Sequence, residues 1–205
     1  MARLAKVKNP QDLFVKTAED IISNGGIEAF NARKLAQETK YSLGSIYTYF
    51  KDINDLILQI NAATLDKLYR RIQEAVIKES DPASKIFAIT NTYFDFAAEN
   101  EKLWQSVMNF EKTANRALLE VYQQKLDNVL RLIRETIRSQ LKKGQEADDI
   151  TNIIWASLQG LWVLQNKESF KSNNAIEPKK MVEILVKNLF NYGDDRSFWR
   201  KLTGN

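Results

Sequence analysis

The sequence predicts an all-α protein of about nine helices, with an N-terminal helix-turn-helix unit of three short helices and a larger C-terminal helical body. Three observations predict it. Apolar residues recur at three- and four-residue spacing along most of the chain, and no stretch shows strand-like alternation. Only seven Gly and three Pro occur in 205 residues, too few for the many tight turns of an all-β protein. The Asn-Pro, Gly-Gly and Asp-Pro pairs that do occur fall where helices should start or stop.

Each element follows from these signals. Asn9-Pro10 opens the first helix, Asn as cap and Pro at the first helical position. Leu13, Phe14, Thr17, Ala18, Ile21 and Ile22 form its apolar stripe, and Asn24-Gly25-Gly26 stops it. Asn31 caps a second helix with Ala32, Leu35 and Ala36 inward. Ser42 caps a third, which runs to about Phe50. Asp52 caps a fourth, with Asp55 as a weak capping-box partner, running through Leu56, Ile60, Ala63, Leu68 and Ile72 to about Glu79. Asp81-Pro82 starts a fifth through Ile86, Phe87, Thr90, Tyr93, Phe94 and Ala97. A short sixth carries Leu103, Trp104, Val107 and Met108. The strongest period, Leu119 to Leu141, gives a seventh helix ended by Gly144. Asp148 or Asp149 opens an eighth through Ile153, Ile154, Leu158, Leu161 and Trp162. A ninth runs from about Pro178 to Tyr192 with Met181, Ile184, Leu185 and Leu189 inward.

Composition narrows the function. Neither Cys nor His is present, which excludes disulfides, thiolate or imidazole zinc sites, and Ser-His-Asp or Cys-His nucleophile systems. No phosphate-binding glycine loop occurs, so no cofactor and no metal is expected, and the chain does not read as an enzyme. No signal peptide and no membrane-length apolar run is found, so a cytoplasmic protein without membrane contact is expected. The net charge is +4, and residues 1–51 hold eight basic groups against five acidic ones. The positive excess therefore gathers in the N-terminal quarter of the chain, as a polyanion-binding unit requires.

Those helices suit duplex DNA. In a helix-turn-helix the last helix docks in the major groove. The capped starts at Asn31 and Ser42 offer backbone N–H groups to phosphate. Gly44 allows close approach, Ser45, Tyr47, Thr48 and Tyr49 offer hydroxyls, and Arg33, Lys34, Lys40 and Lys51 offer charge. Arg3, Lys6 and Lys8 form either a DNA-reaching arm or a solvated terminus.

The run Thr39-Lys40-Tyr41-Ser42-Leu43-Gly44-Ser45-Ile46-Tyr47-Thr48-Tyr49-Phe50-Lys51-Asp52, followed by Leu56, resembles the signature of the TetR family. With Gly26, Phe30, Asn31, Leu35 and Ala36 before it, the resemblance covers about residues 10–60. It implies a homodimeric transcriptional regulator, most often a repressor that a ligand bound in the C-terminal body releases from DNA. By position, it implies that Ser42, Leu43, Gly44, Ser45 and Thr48 face base edges or the groove wall. Asn31, Tyr47, Tyr49 and Lys51 would hold phosphates. Two residues depart from the pattern: Lys40 stands where the family commonly has Gly, and Ile53 where it often has Lys.

The expected organisation is a DNA-binding domain at 1–52 and a ligand-binding and dimerisation domain at 53–205. Phe96-Ala97 to Met108 and Leu158-Gln159-Gly160-Leu161-Trp162 resemble one regulatory-domain type, which tends to have His where Gln159 stands. Phe87, Thr90, Tyr93, Phe94, Trp104, Met108, Phe110, Tyr122, Trp155 and Gln159 are the candidate effector-binding residues. Each aromatic alone reads better as ordinary core, whereas together they point to a cavity for a small lipophilic or aromatic effector. Gly160 interrupts a helix and suggests close helix–helix approach at the dimer interface. The expected partners are thus double-stranded operator DNA, a second copy of the chain and a small-molecule effector. An architectural or protein-regulated DNA-binding factor without a small-molecule ligand is the alternative.

Overall fold

The computed structural model describes residues 9–109, 115–167 and 177–190. Among them are nine α-helices: α1 (Pro10–Gly25), α2 (Ala32–Thr39), α3 (Leu43–Tyr49), α4 (Ile53–Val76), α5 (Pro82–Glu99), α6 (Glu101–Met108), α7 (Arg116–Ile137), α8 (Ala147–Asn166) and α9 (Pro178–Phe190). Single 3-10 turns follow α1 and α7, at Ile27–Ala29 and Arg138–Gln140. The expected all-α fold is therefore observed. The seventh helix stops short of Leu141 because its last turn tightens to a 3-10 turn, a common helix ending. Among the described residues no helix is long and apolar enough to cross a membrane. Arg3, Lys6, Lys8 and Phe110 lie outside the described residues.

The chain packs as two compact units, Met1–Asp66 with Asn100–Leu126, and Lys67–Glu99 with Asp127–Asn205. It passes from one to the other within α4, between α5 and α6, and within α7.

The first unit is built on local signals that the sequence spells out. The Gln11 N–H donates to the Asn9 side chain at 3.0 Å, and Pro10 takes the first helical position. Gly26 ends α1 at φ 80°, its N–H donating to the Ile22 carbonyl. A Cβ at Gly25 would lie 2.5 Å from the Cβ of Ala29, so the chain can turn back here only without a side chain. Phe14, Ala18 and Ile22 of α1 meet Leu35, Ile46, Phe50, Leu56 and Ile60 in one apolar cluster. Leu103 of α6 belongs to it as well, and the Lys102 ammonium donates to the Asn24 carbonyl at the end of α1. Further along, Asn61 of α4 and Ser106 of α6 bond to each other in the interior. Of the expected α4 stripe, Ala63 is exposed, and Ala62 is buried in its place.

The second unit packs α5, α8 and α9 together. The α5 stripe is as expected: Ile86, Phe87, Thr90, Tyr93, Phe94 and Ala97 are all buried. Asp81 caps it, accepting from the Ser84 N–H at 3.0 Å. The α9 expectation needs correction. Pro178, Val182, Val186 and Phe190 are the buried residues, whereas Met181 and Ile184 are 44% and 47% exposed. Helix α9 is apolar on two faces, and spacing alone does not say which one meets its own chain. On α8 Ile153 is likewise 43% exposed, while Ile154, Leu158 and Trp162 are buried. Gly160 is exposed, and a Cβ there would meet nothing within 4 Å, so no close approach among the described residues explains it.

Candidate nucleic-acid interface and effector-binding body

Helices α2 and α3 begin as their caps dictate. The Lys34 N–H donates to the Asn31 side chain at 2.9 Å, and the Ser45 N–H to Ser42 Oγ at 3.1 Å. Between them Lys40 takes a left-handed conformation, φ 61° and ψ 26°, where Gly would be unstrained. Lys40 is exposed and lies two residues before the Ser42 cap of α3. Ile53, the second departure, is partly buried against the apolar cluster of this unit. Its packing replaces whatever contact a Lys would have made.

Only Ile46 of α3 is fully buried, and it anchors the helix. The expected contact residues form its outer surface. Ser42, Leu43, Gly44, Tyr47, Thr48 and Tyr49 are exposed and Ser45 is partly so, with Leu43 at 39% and Tyr47 at 50%. Asn31, Arg33, Lys40 and Lys51 are exposed around them. Phe14 supports this surface from beneath, meeting Tyr41 and Tyr49 edge-on at centroid distances of 5.1 and 5.7 Å. Tyr41 was not among the expected contact residues, although its place next to the Ser42 cap is visible in the sequence. The hydroxyls of α3 are bonded locally. Ser42 Oγ and Ser45 Oγ are 2.8 Å apart, and Thr48 donates to the Gly44 carbonyl at 3.0 Å. Lys34 is paired with Glu38 one turn on, at 2.7 Å.

This surface can do one thing well. It presents a short, rigidly supported helix whose exposed side chains are small, hydroxylated or aromatic, ringed by cations. Residues 14–60 match the family model for bacterial regulatory proteins of the tetR family.

The N-terminal unit is a TetR-family domain.

The chain is 21% identical over 199 residues to the fatty acid metabolism regulator protein of Bacillus subtilis, covering 91% of this chain and 99% of that protein. Its fold is shared with FadR from Bacillus subtilis solved with stearoyl-CoA (TM-score 0.67, 16% identity, 87% and 97% of the two chains). It is also shared with a Saccharomonospora viridis regulator solved with choline (TM-score 0.66, 16% identity, 90% and 96%).

The candidate effector residues divide between the two units. Phe87, Thr90, Tyr93, Phe94, Trp155 and Gln159 belong to the second. There Tyr93 meets Phe94 and Trp155 edge-on at 5.2 and 5.7 Å, and the Thr90 hydroxyl donates to the Phe87 carbonyl at 3.0 Å. Gln159 lies one turn beyond Trp155 on α8, half-buried. Trp104, Met108 and Tyr122 belong to the first unit. Trp104 is fully buried, Met108 is half-buried, and burial pushes the Tyr122 phenol above its usual pKa. A groove of about 450 Å³ opens on the second unit, lined by Phe94, Asp95 and Ala98 of α5, Gln165 of α8 and residues 177–180 at the start of α9. Of the candidate residues only Phe94 reaches it. The Lys179 ammonium crosses to the Asp95 carboxylate at 2.7 Å. Sequence reasoning missed the α9 side of this groove, whose only sequence signal is a Pro-Lys-Lys helix start.

Proposed function

We propose that the chain is a homodimeric repressor that holds an approximately palindromic operator and is released from it by a small lipophilic effector bound in the helical body. The single observation carrying this reading is the exposed surface of α3, where every expected contact residue lies at least partly outward around the buried anchor Ile46. Two such helices must enter successive major grooves about 34–36 Å apart, or a multiple of that, which requires a second copy. The uncovered apolar residues Ile153, Met181 and Ile184 on α8 and α9 supply a surface suited to that copy. The similarity to a fatty acid metabolism regulator makes acyl thioesters the first effectors to try. Whichever ligand acts must bind the DNA-free state more tightly than the DNA-bound one, because equal affinity shifts nothing.

Gel-shift titration against operator and scrambled duplexes tests the docking face. Tyr47→Ala and Lys51→Ala should weaken binding to both duplexes alike, with Lys51→Ala lowering the salt slope by about 0.9. Ser45→Ala and Thr48→Ala should change the preference between the duplexes. Unchanged affinity in all four variants rejects the assignment.

A further inference from the structure

We infer that this regulator recognises its operator half-site through thymine methyl groups, with Leu43 as the side chain that packs against them. The inference rests on α3 being the DNA-reading helix and concerns what that helix is chemically able to read.

Direct readout in the major groove follows a donor and acceptor code. Arg or Lys reads guanine, Asn or Gln reads adenine, Asp or Glu accepts from cytosine, and apolar groups meet the C5 methyl of thymine. The seven residues of α3 are Leu, Gly, Ser, Ile, Tyr, Thr and Tyr, so it holds none of the six side chains that read guanine, adenine or cytosine bidentately or as strong acceptors. Its short hydroxyls are partly engaged. Ser45 Oγ and the capping Ser42 Oγ share one hydrogen bond, and the Thr48 proton is committed to the Gly44 carbonyl.

The exposed apolar group on this helix that suits a base edge is Leu43. Leu43 is the first residue of α3, and the N-terminal residues of a recognition helix are the ones that reach base edges. It is 39% exposed, although leucine is ordinarily buried, and it lies outside the apolar cluster that holds Ile46 and Phe50. Gly44 beside it carries no side chain, and a Cβ built there would come no nearer than 3.9 Å to any neighbour, the nearest being Ser42 Oγ. Helix packing therefore does not demand the glycine, whereas close approach to a groove wall does. An exposed isobutyl group next to a bare backbone position fits the methyl-lined edge of a thymine.

The test begins by selecting duplexes from a random library with the full-length chain. In the preferred duplex each thymine is then replaced singly by deoxyuridine, which removes only the C5 methyl, and each guanine by 7-deazaguanine. Removing the methyl under Leu43 should weaken wild-type binding about four-fold, and about fifteen-fold when both half-sites lose it. Leu43→Ala should bind more weakly overall yet be indifferent to the same replacement. Leu43 is exposed, so this variant folds. Uracil tolerated at every position by the wild type, or the same loss in wild type and Leu43→Ala, overturns the inference. A large loss from 7-deazaguanine alone would overturn it too, by assigning readout to Arg33 or Lys40. If no duplex is enriched at all, the operator reading itself fails and the thymine assignment falls with it.

Discussion

Asn61 and Ser106, 45 residues apart in sequence, satisfy each other in the core of the first unit. The Asn61 amide donates to the Ser106 carbonyl at 3.1 Å, and the Ser106 hydroxyl donates to the Asn61 side-chain oxygen at 2.9 Å. Asn61 is 0% exposed, so water cannot replace either bond. Asn61→Ala leaves the Ser106 groups without these partners and should cost about 2–3 kcal/mol in urea unfolding. Replacing both side chains, as Asn61→Leu with Ser106→Ala, should recover part of that loss, because the hydroxyl is gone while the Ser106 backbone carbonyl still lacks the Asn61 donor. A double variant as unstable as Asn61→Ala would show that shape rather than pairing matters here.

Lys40 predicts a trade between stability and binding. Its left-handed backbone costs an L-residue about 1–2 kcal/mol, part of which glycine forfeits again through unfolded-chain entropy. Lys40→Gly should therefore raise stability by about 0.5–1 kcal/mol, read as a higher midpoint in thermal unfolding. The same change removes a cation beside α3, so DNA affinity should fall and its salt dependence flatten.

The open faces of α8 and α9 predict how the copies meet. Ile184→Asp and Met181→Asp place a charge on an exposed apolar surface, which a monomer tolerates and a packed interface does not. Both variants should keep their helical circular dichroism and sediment as monomers. A variant that remains dimeric would locate the interface elsewhere.

Asp81 gives the fold a pH dependence. Burial works against its charge, but hydrogen bonds from the Ser84 side chain and from the Ser84 and Ala83 backbone outweigh it and hold the carboxyl below its ordinary value of 3.8. The folded chain thus favours the ionised form. The resulting stability is present above pH 3.8 and lost as pH falls through the lower, folded value. Asp81→Ala should cost about 1 kcal/mol at pH 7. The gap between variant and wild type should shrink when unfolding is repeated near pH 3.

The DNA-reading unit was legible because its determinants are local. Asn9, Asn31 and Ser42 each cap the helix that follows within three residues, and Gly26 turns the chain where the sequence says it must. The body was legible in its elements and less so in its faces. Helix α9 has two apolar stripes, so the choice between Met181 and Val182 as the inward residue depends on tertiary packing that periodicity does not encode. The Asn61–Ser106 pair was invisible for a related reason, since nothing near either residue announces a partner so distant. The aromatic candidates separated because α5 and α6, adjacent in sequence, belong to different units.

Gly25 and Gly160 would fare very differently under random mutagenesis. At Gly25 even alanine forces its methyl into the methyl of Ala29, so a pool selected for folded protein should retain a single amino acid at that codon. At Gly160 no described neighbour lies within 4 Å of an added methyl, so the fold among the described residues accepts a larger side chain there. The two glycines thus stand under different constraints, one set by the turn after α1 and the other by no described neighbour.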